Sequence, residues 1–422
     1  MWYWAYNIAA TAVVAVGLPL LPLLFLCGSR YRAGFAQRLG FYPRALGRSL
    51  AGSRPVWIHA ASVGEVRSAQ PLMHEIKARR PECKVLLSTF TATGNRLAQQ
   101  MAEADAVIYL PLDLPWLARR PFRIFGPRLV IVIETEIWPN LIRAASDSGV
   151  PIILLSGRLS ERAFSRYWRL RSFFSRVLRR FTALGMQSPA DAARIASLGA
   201  DERKIAVTGS LKFAPPRGSA AGAIAPIKRN PPQLVFVAGS SHPGEEEIIL
   251  AAFKSVRERF PALALVLAPR HPERFAAVER LLSESGLSFQ RKTSATRENY
   301  FATAVLLLDT VGDLPEFFAA ADITFVGGSL VDVGGHNLLE PARLQRPILF
   351  GPHMDNFRGV AEEMKRRGAA LEVRDVGGLA TALRALAEDC TRRRKMGKAA
   401  AEVAAAGADA LIRNLDLAER YL

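Results

Sequence analysis

Cysteine is scarce in this chain. Three residues, Cys27, Cys83 and Cys390, are spread over 422 positions, too few and too far apart for a disulfide framework or a cysteine-held zinc site. They fit a reducing compartment. The six histidines form no HExxH or comparable pairing, so no protein-held catalytic metal is expected. Acidic residues are also in short supply: 38 Asp and Glu stand against 56 Lys and Arg, for a net charge of +18. That excess calls for an acidic partner or a membrane surface. Nucleic acid is one candidate, yet no helix-turn-helix, zinc-finger or RNA-recognition signature is present and arginine is spread along the whole chain. With half the residues hydrophobic and 22% charged, the chain is not disordered, and its length suggests two domains.

From Trp2 to Cys27 there is no charge at all, and Asn7 is the one strongly polar side chain. An apolar run of about 20 residues can cross a bilayer, so residues 1–28 are expected to be a membrane anchor. Trp2, Tyr3, Trp4 and Tyr6 suit an interface, and Pro19 and Pro22 kink or end a helix. Whether the segment spans fully or lies partly in the interface stays open. Arg30, Arg32, Arg38, Arg44, Arg48 and Arg54 follow, with no acidic residue before them. The positive-inside rule then places the body on the cytoplasmic side. A cleaved signal peptide would need positive charge ahead of the run and small residues at the cut, and neither is present.

Beyond the anchor, short apolar runs alternate with helical stretches. They lie at residues 56–60, 85–89, 107–110, 129–133, 152–155 and 182–186, then at 234–238, 263–268, 305–308, 323–326 and 347–350. Such runs, bounded by turn residues, read as buried parallel strands of an α/β fold. The two halves share a detail: a first strand, a Ser- and Gly-bearing loop with Glu65 or Glu245, a helix, then Arg-Arg-Pro81 or Arg-Phe-Pro261. Two Rossmann-like domains are expected, at 29–214 and 233–422, joined by a Pro-, Gly- and Ala-rich linker at 215–232. The last helix is a candidate to return to the first domain. In such folds ligands bind at the carboxyl ends of the strands.

In the second half, Gly327-Gly328-Ser329 and Val333-Gly-Gly-His-Asn337-Leu-Leu-Glu340 follow a strand. Glycines let backbone N–H groups approach phosphate, and a helix starting near Asn337 would add donors. Glu340 can accept from ribose hydroxyls, or can simply complete a capping pair with Asn337. Arg270, in Ala-Pro269-Arg270-His-Pro, can clamp a phosphate or a carboxylate or be a solvated charge. Val311-Gly312-Asp313 offers backbone to a base, or forms a plain turn.

In the first half, Ser62-Val-Gly-Glu65 sits at a strand-to-helix junction. Glu65 can be a general base or the far member of a capping box. A helix N-terminus favours its ionised form and weakens it as a base. Thr89-Phe-Thr91-Ala-Thr93-Gly94 repeats the loop pattern. Glu134 and Glu136 end a very apolar strand, where an unpaired charge is costly. Lys212 lies just before the linker. Residues 157–181 form a basic helical stretch with Leu170, Phe173, Phe174, Val177, Leu178 and Phe181 on one face. It is either a core-facing helix with a solvated basic side or a surface for anionic lipid.

Taken in order, HAASVGE, STFTATG, YLPLDLP, ETEIWPN, TGSLKF, LAPRHPERF, FVGGSLVDVGGHNLLEP and FGPHMDNF resemble the blocks of the Kdo transferases, where Kdo is 3-deoxy-D-manno-octulosonic acid. The resemblance covers nearly the whole chain. It implies a GT-B type glycosyltransferase fold, with two facing Rossmann-like domains. The donor would be CMP-Kdo and the acceptor the phosphorylated lipid A precursor, at the inner membrane, with no separate cofactor, no metal and no nucleic acid. By resemblance Glu65 is the general base, and Glu134 and Lys212 stabilise the transition state. Pro269, Arg270, Val311, Gly312, Asp313, Asn337, Leu338, Leu339 and Glu340 would contact CMP. This chain reads Val-Gly-Asp where some relatives read Met-Gly-Glu. Rival readings are a UDP-sugar transferase acting on a lipid, a non-catalytic membrane scaffold and a basic nucleic-acid-binding protein.

Overall fold

A computed structural model describes residues 2–17, 34–214, 227 and 233–422. The chain divides into two compact units, Met1–Arg217 with Gly407–Leu422, and Gly218–Ala406.

The first unit carries β1 (Val56–His59), β2 (Val85–Thr89), β3 (Ala106–Tyr109), β4 (Leu129–Ile133), β5 (Ile152–Gly157), β6 (Ala183–Met186) and β7 (Ile205–Val207). They form one parallel sheet in the order β3-β2-β1-β4-β5-β6-β7. Val56 pairs with Val85 on one side and Leu129 on the other. The second unit carries β8 (Val235–Ser241), β9 (Ala264–Pro269), β10 (Phe289–Arg291), β11 (Val305–Leu307), β12 (Ile323–Val326), β13 (Ile348–Phe350) and β14 (Ala370–Glu372). Their order is β10-β11-β9-β8-β12-β13-β14. Strand order reverses between β1 and β4 and between β8 and β12. These are the switch points where loops part and ligands bind in α/β sheets.

The central strands are buried along their length except at Ser240 of β8, as a sheet covered by helices on both faces requires. Three strands fall outside the apolar runs read from the sequence: β7, β10 and β14. Each is three residues long and stands at a sheet edge, and each is partly exposed. An edge needs less apolar side chain than a centre.

The described residues cover only the first part of the expected N-terminal anchor. That part is a 16-residue helix, Trp2–Gly17, about 24 Å long at 1.5 Å per residue. Among the described residues no helix is long and apolar enough to cross a membrane; residues 18–28 of the expected anchor lie outside them. One side of this helix docks on the first unit. The Tyr3 and Tyr6 rings meet Phe173 at 5.7 and 5.5 Å. Tyr6 donates to Asp113 at 2.8 Å, and Asn140 donates to Asn7 at 2.8 Å. Trp4, Ile8, Val13 and Val16 face outward.

The basic stretch at 157–181 forms two helices, Glu161–Trp168 and Arg171–Leu178. Phe173, Val177, Leu178 and Phe181 are buried in the first unit's core, while Leu170 is 48% exposed. The final helix, Cys390–Glu419, ends in the first unit. There the Asn414 side chain accepts from Ser156 N at 3.2 Å and from the Thr208 hydroxyl at 2.9 Å.

Candidate active site

In the first unit, the loops after β1 and β4 and the turn before the linker converge. Ser62 caps the helix Val63–Arg79. The Glu65 carboxylate turns back on its own loop, accepting from Ala61 N at 2.7 Å and from the Ser62 hydroxyl at 2.9 Å. Ser62 Oγ also accepts from Glu65 N at 3.5 Å, but the Glu65 carboxylate meets Ala61 N rather than Ser62 N, so only one half of a capping box forms. Thr91 donates to Ala61 O at 3.2 Å, tying the loop after β2 to the same place. A Cβ on Gly94 would meet the Ser62 backbone at 3.2 Å, so glycine permits that contact.

The electrostatics run opposite to the sequence expectation. Burial first, then the nearby Glu136 charge, pushes the Glu65 carboxyl up to about 7, although the Ser62 and Ala61 bonds oppose this. The cap is outweighed because its few donors cannot replace the water lost on burial. Glu136 is itself raised by burial and by Glu134, while accepting from Trp138 Nε1 at 2.9 Å.

Glu134 stands at φ +59°, in the left-handed region that costs a side-chain-bearing residue on the order of 1 kcal/mol or more. Lys212, in the turn Leu211–Phe213, brings Nζ to 3.0 Å from Glu134 Oε1. The contact is an ion pair whose angles fall short of a directed hydrogen bond. Glu65, Glu134 and Lys212, 147 positions apart from first to last, thus share one end of one sheet, with Glu136 beside them.

In the second unit, the glycine turn differs from the expectation in an instructive way. Its backbone donors are already taken. Glu245, fully buried, accepts from Gly328 N at 2.6 Å and His242 N at 2.9 Å with one oxygen. The other oxygen accepts from Ser329 N at 2.9 Å and Leu330 N at 2.8 Å. A carboxylate, acceptor-only with about four lone-pair sites, suits four donors. These amides do not point at a ligand. The helix starts at Leu339, later than expected, and runs only to Arg343.

Other expected nucleotide-site residues fall into two groups. Asn337 accepts from Leu339 N at 3.0 Å and donates to Glu340 at 3.2 Å. Glu340 is raised by burial, against the pull of Asn337, Arg343 and Arg270. Arg270, exposed at the end of β9 beyond the buried Pro269, therefore lies within electrostatic reach of Glu340. Leu338 and Leu339 are buried, so any ligand contact they make is through backbone. Val311 is 79% exposed and Gly312 has φ +99°, which suits glycine. Asp313 is held low by the Thr310 hydroxyl and by Lys292 at 2.9 Å; no described bond joins it to Arg270 or Glu340.

Residues 33–215 match the family model described as 3-deoxy-D-manno-octulosonic-acid transferase (kdotransferase). A 3-deoxy-D-manno-octulosonic acid transferase of Haemophilus influenzae is 34% identical over 427 residues, covering 100% of this chain and 99% of the relative. The chain belongs to the Kdo transferase family. A second Kdo transferase, of Bordetella pertussis, is 35% identical and covers 96% of this chain and 97% of its own. A solved structure, the C-terminal CMP-Kdo binding domain of WaaA from Acinetobacter baumannii, is 30% identical, with a TM-score of 0.39, over 40% of this chain and 89% of that one.

As a Kdo transferase the chain is a glycosyltransferase, in line with the motif order. Sequence reasoning passed over Glu245's clamp on the glycine turn, the Lys292 partner of Asp313 and the histidines around Arg270. Glu245 was visible as the counterpart of Glu65, since both follow a Ser- and Gly-bearing loop. Nothing in the sequence pointed it at a loop 83 positions away.

Proposed function

We propose that this Kdo transferase moves Kdo from CMP-Kdo to the phosphorylated lipid A precursor, lipid IVA, as an inverting enzyme of the GT-B type. Glu65 takes the proton of the acceptor hydroxyl as that oxygen bonds to the anomeric carbon. The bond from that carbon to the phosphate oxygen breaks, and CMP leaves with the electron pair. CMP is a good leaving group, so no strong general acid is called on. Lys212, braced by Glu134, offers positive charge to the developing anion. Arg270, the 311–313 loop and Asn337–Glu340 hold CMP.

One observation carries the assignment of the base: the Glu65 carboxyl, pushed up to about 7 beside Glu134 and Glu136. A base is most effective when it titrates near the working pH. Its loop bonds occupy one lone pair on each oxygen and leave the others to a substrate.

The acceptor is a lipid, and the proposal places the enzyme at the cytoplasmic face of the inner membrane. The outward Trp4, Ile8, Val13 and Val16 of the first helix suit an interfacial position. A cavity of about 650 Å³ adjoins that helix, lined by Trp4, Ile8, Ala12, Ala15, Trp116 and Arg119 among others. The test is incubation with CMP-Kdo and lipid IVA, reading products by mass. A Kdo-bearing product from the parent chain and none from Glu65→Gln is expected. Equal yields from both would end the base assignment, and transfer from a UDP-sugar alone would end the donor assignment.

A further inference from the structure

His242, His271 and His336 come from the loops after β8, β9 and β12, three strands adjacent in the second sheet. The His242 and His336 rings stack at 5.1 Å, and their Nε2 atoms are 2.8 Å apart. The His271 ring stands edge-on to His242 at 5.3 Å. Arg270 is near enough to weigh on both rings of the stacked pair. We infer that this cluster is the receptor for the donor's anionic group, and that anion binding loads one proton onto the His242–His336 pair. This rests on the donor reading above, since a nucleotide-linked acid sugar brings a phosphate and a carboxylate.

Three observations lead there. The first part of the glycine turn is not an anion cradle, because Glu245 has taken the amides of Gly328, Ser329 and Leu330. Side chains at the rim of that turn are then the nearest source of positive charge for an anion. Second, two facing Nε2 atoms at hydrogen-bond distance share one proton between them, one ring donating and the other accepting. A further proton makes an imidazolium, which the surroundings resist. Burial, then His242, Arg270 and His271, push His336 down to about 4. Burial, His271, Arg270 and Arg274 lower His242.

Third, the neighbouring carboxylates have other partners. Glu245 holds backbone. Glu246 is bonded by Ser241 at 3.1 Å and Arg274 at 3.4 Å, Glu340 by Asn337, and Asp332 lies 3.8 Å from His353. None of them bonds an imidazole of the trio among the described residues. A seated anion therefore supplies the missing negative charge and draws in a proton. Gly328, at φ +66°, keeps the space open: a Cβ there would stand 3.1 Å from His336 Nε2 and 3.5 Å from His242 Cδ2.

By linkage, affinity rises as pH falls, by at most about tenfold per pH unit for one proton. The test is calorimetry near neutral pH in two buffers of different ionisation enthalpy, on the full chain, with CMP, cytidine and free Kdo as probes. CMP titrates by itself near pH 6, so its own share is removed by subtracting the count for His336→Asn. Uptake of up to about one proton with CMP and none with cytidine assigns the phosphate. Uptake with free Kdo assigns the carboxylate. Nitrogen-15 histidine spectra of the unmutated chain give the same answer without a variant, since a ring gaining charge shifts both its nitrogens. Rings that stay neutral in saturating CMP and in saturating Kdo overturn the inference. If UMP binds and CMP does not, the donor reading fails, and the ring nitrogens read with UMP still decide the role of the histidines. If no nucleotide binds, both fall.

Discussion

Lys212 Nζ lies 3.0 Å from Glu134 Oε1, and Glu134 meets it from a backbone at φ +59°. At such a φ stability alone would favour glycine. Glu134→Gly should therefore be more stable than Glu134→Ala by about 1 kcal/mol, as read by urea unfolding. Both variants should lose transfer on the order of a hundredfold or more. An alanine variant as stable as the glycine one would mean the strain is not there.

Glu65→Gln should cut the transfer rate by roughly 10²- to 10⁴-fold and remove the limb of the pH–rate profile that rises through about pH 7. Its stability should shift as well. The folded carboxyl titrates at about 7 against an ordinary value of 4.5. The folded state thus holds a proton that the unfolded chain releases, and stability declines as pH rises between those values. Glutamine cannot ionise, so the variant should gain on the parent chain across that window and hold the gain above it. Thermal melts at pH 4 and pH 8 give the difference, and a gain seen only at pH 4 would reverse the sign.

Glu245→Gln should be strongly destabilising. One amide oxygen cannot serve the four backbone donors that meet the carboxylate, and the new NH₂ faces two N–H groups. Stranding buried donors costs about 1–3 kcal/mol each, partly relieved by relaxation, so a loss of about 3 kcal/mol in urea is expected. CMP should also bind more weakly, because the turn beside His336 loosens. Unchanged unfolding would show that Glu245 is not the clamp.

Tyr6→Phe removes the hydroxyl that reaches Asp113 at 2.8 Å. A hydrogen bond to a charged group contributes about 1.5–3 kcal/mol. The loss should appear as faster amide exchange confined to the helix Trp2–Gly17, with the central sheet unaffected. Asp113→Ala should do more, since it also strands Asn140 N and Leu141 N, each 2.9 Å from the carboxylate. Uniform loosening of the whole first unit by Tyr6→Phe would contradict a local docking role.

Much of the sheet was legible in the sequence, because strands covered on both faces must be apolar throughout. The runs around Ile131, Leu154, Val237 and Phe325 are buried strands. The edge strands β7, β10 and β14 were not legible, because a partly exposed three-residue strand carries little pattern to detect, whereas the four-residue edge strand β3 was read at 107–110. The N-terminal run was read as an anchor from its lack of charge. Its Tyr6 and Asn7 proved to be docking groups for Asp113 and Asn140, partners more than 100 residues away that no local window contains.

The sequence by itself determined the family, through the order of its motif blocks, and which loops carry Glu65, Glu134, Lys212 and Arg270. It determined this because loop chemistry is local to the chain. Tertiary structure alone decided how those groups behave. Burial and a neighbouring carboxylate reversed the expected direction of Glu65's titration, and Glu245 took the amides of the glycine turn and left three histidines and an arginine at its rim. Desolvation and charge coupling depend on what lies a few ångströms away in space, and that distance is not written along the chain.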